Sequence, residues 1–461
     1  MRRRKEKSPL PQDETLGFGY LAVYGFQHVL AFFAGGAIVI PIIVASAIGL
    51  TSAELVKLIN AAMLTCGIAT LLQAVGVWKI GVRLPLLQGI AFAGIGPLIA
   101  IASSNGGGAS GLRTVYGAII VSGVLTFLFA PLLGRIVKFF PPVVTGSVLA
   151  IIGLSLLPEA AKQAVGGDGS LDPSSSRNLA YALGTLVFIV ISQRVFRGFL
   201  ATIGVLLSLV IGTLVAWMLG DANFDQVREA DAFGLVVPFQ FGVPQFSLGA
   251  IISMLVVVII TCVETTGAIF AVSEIIGRET KKDDISRAMR ADGLSVALGG
   301  ILNSFPYTSF SENVGLVRLT RVRSRWVVAT AGCFMILLGL FPKFGAILTA
   351  IPQPVLGGAS LAMFAMVAVV GVELLAKVNF KDQRNSVVVA ASMGIGLFVT
   401  TQPGIQAAAP GWLGFFFESG ITAGAISAIV LNIVFHHVGK KDHLEEKGVH
   451  ELERKSGLTV K

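Results

Sequence analysis

The chain has 461 residues, of which 54% are hydrophobic and only 13% charged, with 54 glycines, and its mean hydropathy is +0.81. Soluble domains carry about 25% charged residues, so this composition excludes an ordinary soluble enzyme or binding module and indicates a polytopic membrane protein. The net charge of +9 points less to a nucleic-acid partner than to basic loops held on one side of a bilayer.

The basic start Met1-Arg-Arg-Arg-Lys-Glu-Lys resembles a signal n-region. It leads into a full-length apolar stretch without a small-residue cleavage site, so no processing is expected. About 20 apolar residues cross the hydrocarbon. In chain order the apolar blocks place spans at 17–40, 54–78, 86–103, 114–138, 143–160, 178–195 and 199–219. They continue at 248–275, 286–304, 307–320, 324–349, 355–376, 385–401 and 413–437. That makes fourteen segments between a tail at 1–16 and a tail at 438–461. Cys66, Cys262 and Cys333 lie inside apolar blocks without metal-type spacing, as small core residues would.

The junctions divide by charge. One set holds Lys79 with Arg83, Arg135 with Lys138, Arg194 with Arg197, the Arg278–Arg287 loop, Arg321 to Arg325, and Lys377 to Arg384. The other set holds the acidic Asp221–Asp231 loop and the Gly/Asp/Ser-rich Gly166–Ser176 loop. Basic loops face the cytoplasm, which places both termini there, in the inner membrane. His436, His437, His443 and His450 fall at or beyond the last span, where a solvated tail is the expectation.

Two short matches repeat seven spans apart. Phe140-Pro-Pro-Val-Val-Thr-Gly146 opens the fifth span and Ile351-Pro-Gln-Pro-Val-Leu-Gly-Gly358 the twelfth, while Arg177-Asn178 and Arg384-Asn385 precede the sixth and thirteenth. An odd separation turns the second copy upside down, the 7+7 inverted repeat of secondary transporters. The tenth segment, in Asn303–Arg321, is polar and broken at Pro306. Its repeat partner, Arg83-Leu-Pro-Leu-Leu-Gln-Gly-Ile-Ala-Phe-Ala-Gly-Ile-Gly-Pro97, is broken likewise and carries Gln88 at bilayer depth. Paired broken segments at corresponding positions mark a transport site; two kinked packing helices are the plainer alternative.

Charges at mid-membrane cost about 2.5 kcal/mol or more each on insertion scales, and few are present. Gln27-His28 lies in the first span, Glu264 in the eighth, Asp292 in the ninth and Glu312-Asn313 in the tenth. Two carboxylates and an imidazole around broken segments suit a planar ligand with N–H donors and the uptake and release of a proton. His28 alone also suits a helix–helix hydrogen bond. Asp292 suits a structural or coupling role, capping its helix or pairing with Arg287 or Arg290.

Glu312-Asn-Val-Gly-Leu-Val-Arg-Leu-Thr-Arg321 resembles the signature [Gln/Glu]-Asn-x-Gly-x-x-x-x-Thr-[Arg/Gly] of the nucleobase–ascorbate transporters, also called nucleobase:cation symporter 2, and Gln27-His28 matches that family's first-span motif. Gly315, Thr320 and Arg321 complete the signature. The resemblance covers essentially all spans and implies an all-α membrane fold of fourteen segments, with segments 3 and 10 meeting as short antiparallel strands. It implies a core domain (17–138 and 248–349), a gate domain (143–219 and 355–437), a homodimer and an elevator-type motion. By motif position it gives Glu264 the ring N–H groups of a nucleobase, Glu312 a second contact, and Phe92 a backbone amide and ring contact. Gln88 joins the substrate-binding set, Asn313 organises the site, and His28 with Gln27 and Asp292 supports it or couples the proton. Glutamate at 312 suits uracil, while the Gln27–Pro41, Leu84–Phe92 and Phe305–Phe310 stretches look like the purine branch and favour xanthine or uric acid. No cofactor is implied; the co-transported ion is H⁺, with Na⁺ open. A membrane enzyme would need a constellation the spans lack, and an anion exchanger or channel would place a base where Glu312 stands.

Overall fold

The structure, a computed structural model, describes residues 10–35, 38–136, 140–167, 172, 175–402, 404–409 and 413–438. Of 134–136, 311, 312, 407 and 415 it describes the backbone alone. His443, His450 and most of both tails therefore lie outside the described residues, as does the side chain of Glu312.

The chain begins with α1 (Phe18–Ala34) and α2 (Val39–Ile48), then α3 (Ser52–Ala74). The first apolar unit thus runs from Phe18 to Ile48, longer than the block expected to close at residue 40, because Ile42, Ile43 and Val44 are buried in the core. Thr51 and Glu54 form a capping box that starts α3, which explains an acidic residue at the edge of an apolar helix. After β1 (Gln88–Ile90) come α4 (Ile95–Ser104), α5 (Gly108–Ile136), α6 (Pro142–Ala164) and α7 (Ser176–Val195). The short α8 (Phe199–Thr202) leads into α9 (Gly204–Met218), and α10 (Asp225–Glu229) lies in the acidic connection. Next come α11 (Leu248–Ile276), α12 (Lys282–Ile301), β2 (Tyr307–Ser309) and α13 (Ser311–Thr320). The remainder is α14 (Arg325–Gly339), α15 (Pro342–Thr349), α16 (Gln353–Leu375), α17 (Gln383–Thr401), α18 (Ile405–Ala408), α19 (Gly414–Phe417) and α20 (Gly420–His436).

Among the described residues eight helical units, α1 with α2 counted as one, are long and apolar enough to cross a membrane, or nine if α14 and α15, bent by 83°, count as one span. The bend has a local cause, since Pro342 stands at the first position of α15 and restricts the residue before it. The other membrane-depth pieces are shorter or more polar, α4, α9, α12, α13 and α20 among them.

Bare backbone holds the helices together. A Cβ on Gly293 of α12 would sit 2.4 Å from Phe127 N of α5, and one on Gly123 of α5 would sit 2.4 Å from Ala297 N of α12. Gly67 of α3 meets the Gly332 carbonyl of α14 in the same way at 2.5 Å, and Gly153 of α6 meets Ala368 N of α16 at 2.4 Å. Without a hydrophobic driving force between helices in lipid, small residues let backbones approach and gain dispersion contact. Cys66 and Cys262 are buried as expected, but Cys333 is exposed on the outer face of α14, because a cysteine inside an apolar block can face lipid as easily as core.

Candidate functional site

The two broken segments meet. β1 and β2 pair antiparallel, Gln88 opposite Ser309, Gly89 opposite Thr308 and Ile90 opposite Tyr307. Two more backbone bonds extend the ladder, Ala91 N to Pro306 O and Phe310 N to Leu87 O, each 2.9 Å. The chain can lie extended at this depth because the ladder and buried hydroxyls satisfy its polar groups: Gln88 N donates to Thr70 Oγ1 at 3.0 Å and Ser309 N to Thr265 Oγ1 at 3.2 Å. Each strand runs into a half-helix, β1 through Phe92–Gly94 into α4 and β2 into α13. Because the strands are antiparallel, the two half-helices leave from opposite ends of the ladder, and each turns its positive N-terminal end toward the crossing.

Gly89 is what lets the strands cross. A Cβ there would lie 2.3 Å from Phe310 Cδ2 and 3.1 Å from Phe32 Cε2, and Phe310 and Phe32 pack ring to ring at 5.3 Å. Asn303, at φ +64°, turns the chain out of α12. Its Nδ2 donates to Val237 O at 2.7 Å and its Oδ1 accepts from Gln240 N at 2.8 Å, so it pins the preceding connection and lies away from the site.

A cavity of about 690 Å³ opens beside the crossing, within the range of about 300–1,000 Å³ usual for small-molecule sites. One wall carries Ala34, Phe92, Glu264, Thr308, Ser309 and Val314; the facing wall carries Thr145, Ile152, Gln193, Thr202, Met363 and Val367. Phe92 also sets its ring edge-on to Phe364 of α16 at 5.9 Å. The lining reaches Gln193 and Thr202, which flank the Arg194–Arg197 junction, and Leu374 beside Lys377, so the cavity opens on the basic face. On the opposite face the same walls touch. Ser253 and Thr422 hydroxyls lie 3.3 Å apart, Ser104 Oγ donates to Glu418 at 3.3 Å, and Gly96 leaves room for Ser419 Oγ.

The remaining sequence-derived residues stand in three relations to this cavity. Glu264 and Phe92 line it. Gln88 is buried behind it, its Nε2 donating to Ser309 Oγ at 3.0 Å. Asn313 is buried and donates Nδ2 to Pro85 O at 2.9 Å, tying α13 to the stretch before β1. His28 is buried on α1 and reaches the Asn313 side chain, while Gln27 beside it is half-buried. Glu312 occupies the first turn of α13. Gly315 faces open space, whereas Thr320 and Arg321 end the helix: Thr320 Oγ1 bonds Leu316 O at 2.9 Å, and Arg321 caps it at φ +58°. A left-handed cap suits glycine, which accounts for a signature that alternates Arg and Gly there.

Asp292 pairs with neither arginine and caps no helix. It is fully buried in mid-α12, where Oδ1 accepts from Gln73 Nε2 of α3 at 2.7 Å and the Thr265 hydroxyl approaches from α11. Arg287 is five residues earlier and Arg290 two, and neither offset puts two side chains on the same helix face. The result is a buried chain of polar groups, Gln73 to Asp292 to Thr265 to the Ser309 amide, that ends at the strand next to the cavity. Among the described residues no three His, Cys, Asp or Glu side chains gather as a metal-binding group.

Comparison with known proteins settles the family. Residues 19–405 match a family model described as "Permease family". The chain is 44% identical to the xanthine permease of Bacillus subtilis over 94% of this chain and 97% of that one. It is 41% identical to the uric acid permease PucJ of the same organism, over 90% and 92%, and 39% identical to the uric acid transporter UacT of Escherichia coli, over 92% and 88%. The chain belongs to this permease family. The permease is thus a multi-pass membrane transporter and not an enzyme, in the nucleobase–ascorbate family that its signature resembles. Its fold is shared more widely. The transmembrane domain of a cyanobacterial bicarbonate transporter aligns with TM-score 0.53 at 14% identity, over 88% of the permease and 97% of that chain. A murine Solute Carrier 26 family member A9 anion transporter aligns with TM-score 0.58 at 14% identity, over 89% and 68%.

Sequence reasoning missed Gln73, Thr265 and Gly89. Thr265 adjoins Glu264 in a hydroxyl-rich stretch, a usable signal. Gln73 was legible only as a polar residue inside the second apolar block, and Gly89 as one of many glycines.

Proposed function

We propose that this permease imports a purine nucleobase, xanthine or uric acid, by symport with a proton. The observation that carries the reading is the convergence of Glu264, Phe92 and the two half-helix N-termini on one cavity between two walls. Xanthine and urate present imide N–H groups between carbonyls; a carboxylate accepts from the N–H groups, and helix N-termini favour the carbonyls or an anionic purine. The relatives named for xanthine and uric acid support that choice. Asn313, Gln88 and His28 hold the crossing in place, Asp292 braces the strand from behind, and Gln27 supports His28. Glu312, at the start of α13, would be the second ligand contact.

In this reading the walls are a core domain, 17–138 and 248–349, and a gate domain, 143–219 and 355–437, that slide past each other as an elevator. Fourteen segments in a 7+7 inverted repeat are supported by paired contacts: α3 packs on α14 as α12 packs on α5, and α1 on α14 as α11 on α5. The cavity opening on the basic face and the touching walls opposite correspond to an inward-open state. The permease would sit in the inner membrane as a homodimer with both termini cytoplasmic.

A second reading, uracil import, rests on the glutamate at 312. Labelled xanthine uptake into cells, competed by urate, uracil and hypoxanthine with and without a protonophore, separates the two. The purine reading expects urate to compete, uracil not to, and the protonophore to stop uptake. Uptake that follows external Na⁺ and ignores the protonophore would replace H⁺ by Na⁺.

A further inference from the structure

The turn between α3 and β1 carries a second, unassigned feature on the basic face. Val77 and Ile80 exchange two backbone bonds of 2.9 Å, leaving Trp78 and Lys79 at the tip, with the Lys79 ammonium 5.6 Å from the Trp78 ring centre. Trp78 is 80% exposed and Val77 63%. The turn is docked on α12: Gly81 N donates to Arg287 O at 3.0 Å, and Arg290 Nη1 donates to Lys79 O at 3.4 Å. The turn thereby lies against the first half of α12, where Arg287 and Arg290 stand one helical turn apart, with Arg83 folded back over Gly76 at the turn's other end.

Among the described residues Lys79, Arg287 and Arg290 form no ion pair. Arg287 Nε and Nη2 are buried and have no hydrogen-bond partner there. Of the buried carboxylates on α12, Asp284 pairs with Arg278 at 2.6 Å, and Asp292, five residues from Arg287 and on another face, bonds Gln73 through Oδ1 while its Oδ2 has no partner among the described residues. A buried, unsatisfied guanidinium edge calls for an anion, and its two parallel N–H groups match two oxygens of a phosphate. The exposed Trp78 and Val77 identify the source: an aromatic tip at the end of a membrane helix sits at headgroup level, where basic notches between helices hold anionic headgroups. A free phosphate would leave that apolar tip unexplained.

We propose that the notch between the Val77–Ile80 turn and α12 binds the phosphate of an anionic phospholipid, gripped by Arg287 with Lys79 and Arg290 while Trp78 seats in the interface. Lipid binding here depends on the membrane placement of the chain but not on its substrate, so it stands or falls apart from the purine reading.

The test is native mass spectrometry and thermal unfolding of the full-length purified protein, delipidated and then supplied with phosphatidylglycerol, phosphatidylcholine or inorganic phosphate. Phosphatidylglycerol should be retained and raise the melting temperature, and phosphatidylcholine should do neither. Arg287→Gln should weaken retention at least about fivefold, and the surface double variant Lys79→Gln/Arg290→Gln by more, near fivefold for each charge removed. The double variant keeps the test valid should Arg287→Gln fail to fold. Equal retention of both lipids, or undiminished phosphatidylglycerol binding by the variants, overturns the proposal. So does stabilisation by inorganic phosphate alone, which would make the notch a soluble-anion site.

Discussion

Replacing Gly89 by alanine tests whether the strand crossing is a fitted joint. The new methyl would lie 2.3 Å from Phe310 Cδ2 and 2.5 Å from Cε2, against an ordinary contact of 3.4–4 Å, so the ring must retreat by about 1 Å or the strands must part by as much. The ring is 3% exposed, packs on Phe32 and lines the cavity, so its displacement falls on that packing or on the ligand space. Overpacking of this kind costs about 1–3 kcal/mol, roughly a fivefold to 150-fold loss of the correctly built crossing. Substrate uptake by Gly89→Ala should therefore fall at least about fivefold while the protein still reaches the membrane. Gly89→Ala/Phe310→Ala, which returns the space, should recover part of the loss. Uptake and surface level are measured together by transport assay and blotting of a tagged protein. Normal uptake by the single variant would refute the fitted joint, and a double variant worse than either single would show that Phe310 acts by something other than bulk.

The polar chain and the helix cap lead to further outcomes. Asp292→Asn and Gln73→Leu should each lower thermal stability in detergent and be strongly non-additive, with a coupling of about 1–3 kcal/mol for a buried charge-assisted bond; additive losses would mean that the 2.7 Å contact contributes little. Arg321→Gly should leave stability within about 1 kcal/mol of the wild type, because glycine adopts φ +58° freely, while Arg321→Val should cost more, a β-branched side chain being strained there. Equal effects of the two would separate the cap from the signature residue. Glu312→Gln should keep purine uptake and weaken any uracil uptake; a gain in uracil uptake would reverse the role given to that residue.

The crossing was legible because it breaks local rules: Pro85, Pro97 and Pro306 interrupt apolar runs, and Gln88 and Asn313 place amides where lipid would reject them. Such breaks are written in single residues and can be read one at a time. The partner of Asp292 could not be read that way. Gln73 and Asp292 are 219 residues apart, and only the packing of α3 on α12 makes one the answer to the other. The expectation that Asp292 would meet an arginine came from nearness in sequence, which a helix converts into the wrong face. Gly89 shows the same limit from the other side, since its importance lies in the ring of Phe310 across the ladder. The charge asymmetry of the loops, by contrast, is additive over many residues and survives any local error.

In the proposed function Glu264 on α11 binds the ligand in the cavity shared with the two half-helices. That role is tested most directly by uptake of labelled xanthine into cells expressing wild type or Glu264→Gln at matched membrane levels. Wild type should show saturable uptake, competed by urate, and Glu264→Gln none above background, because an amide presents one acceptor oxygen and two donors where the N–H groups of the base need a carboxylate. Unchanged xanthine uptake by Glu264→Gln would contradict it and move the binding site away from this cavity wall.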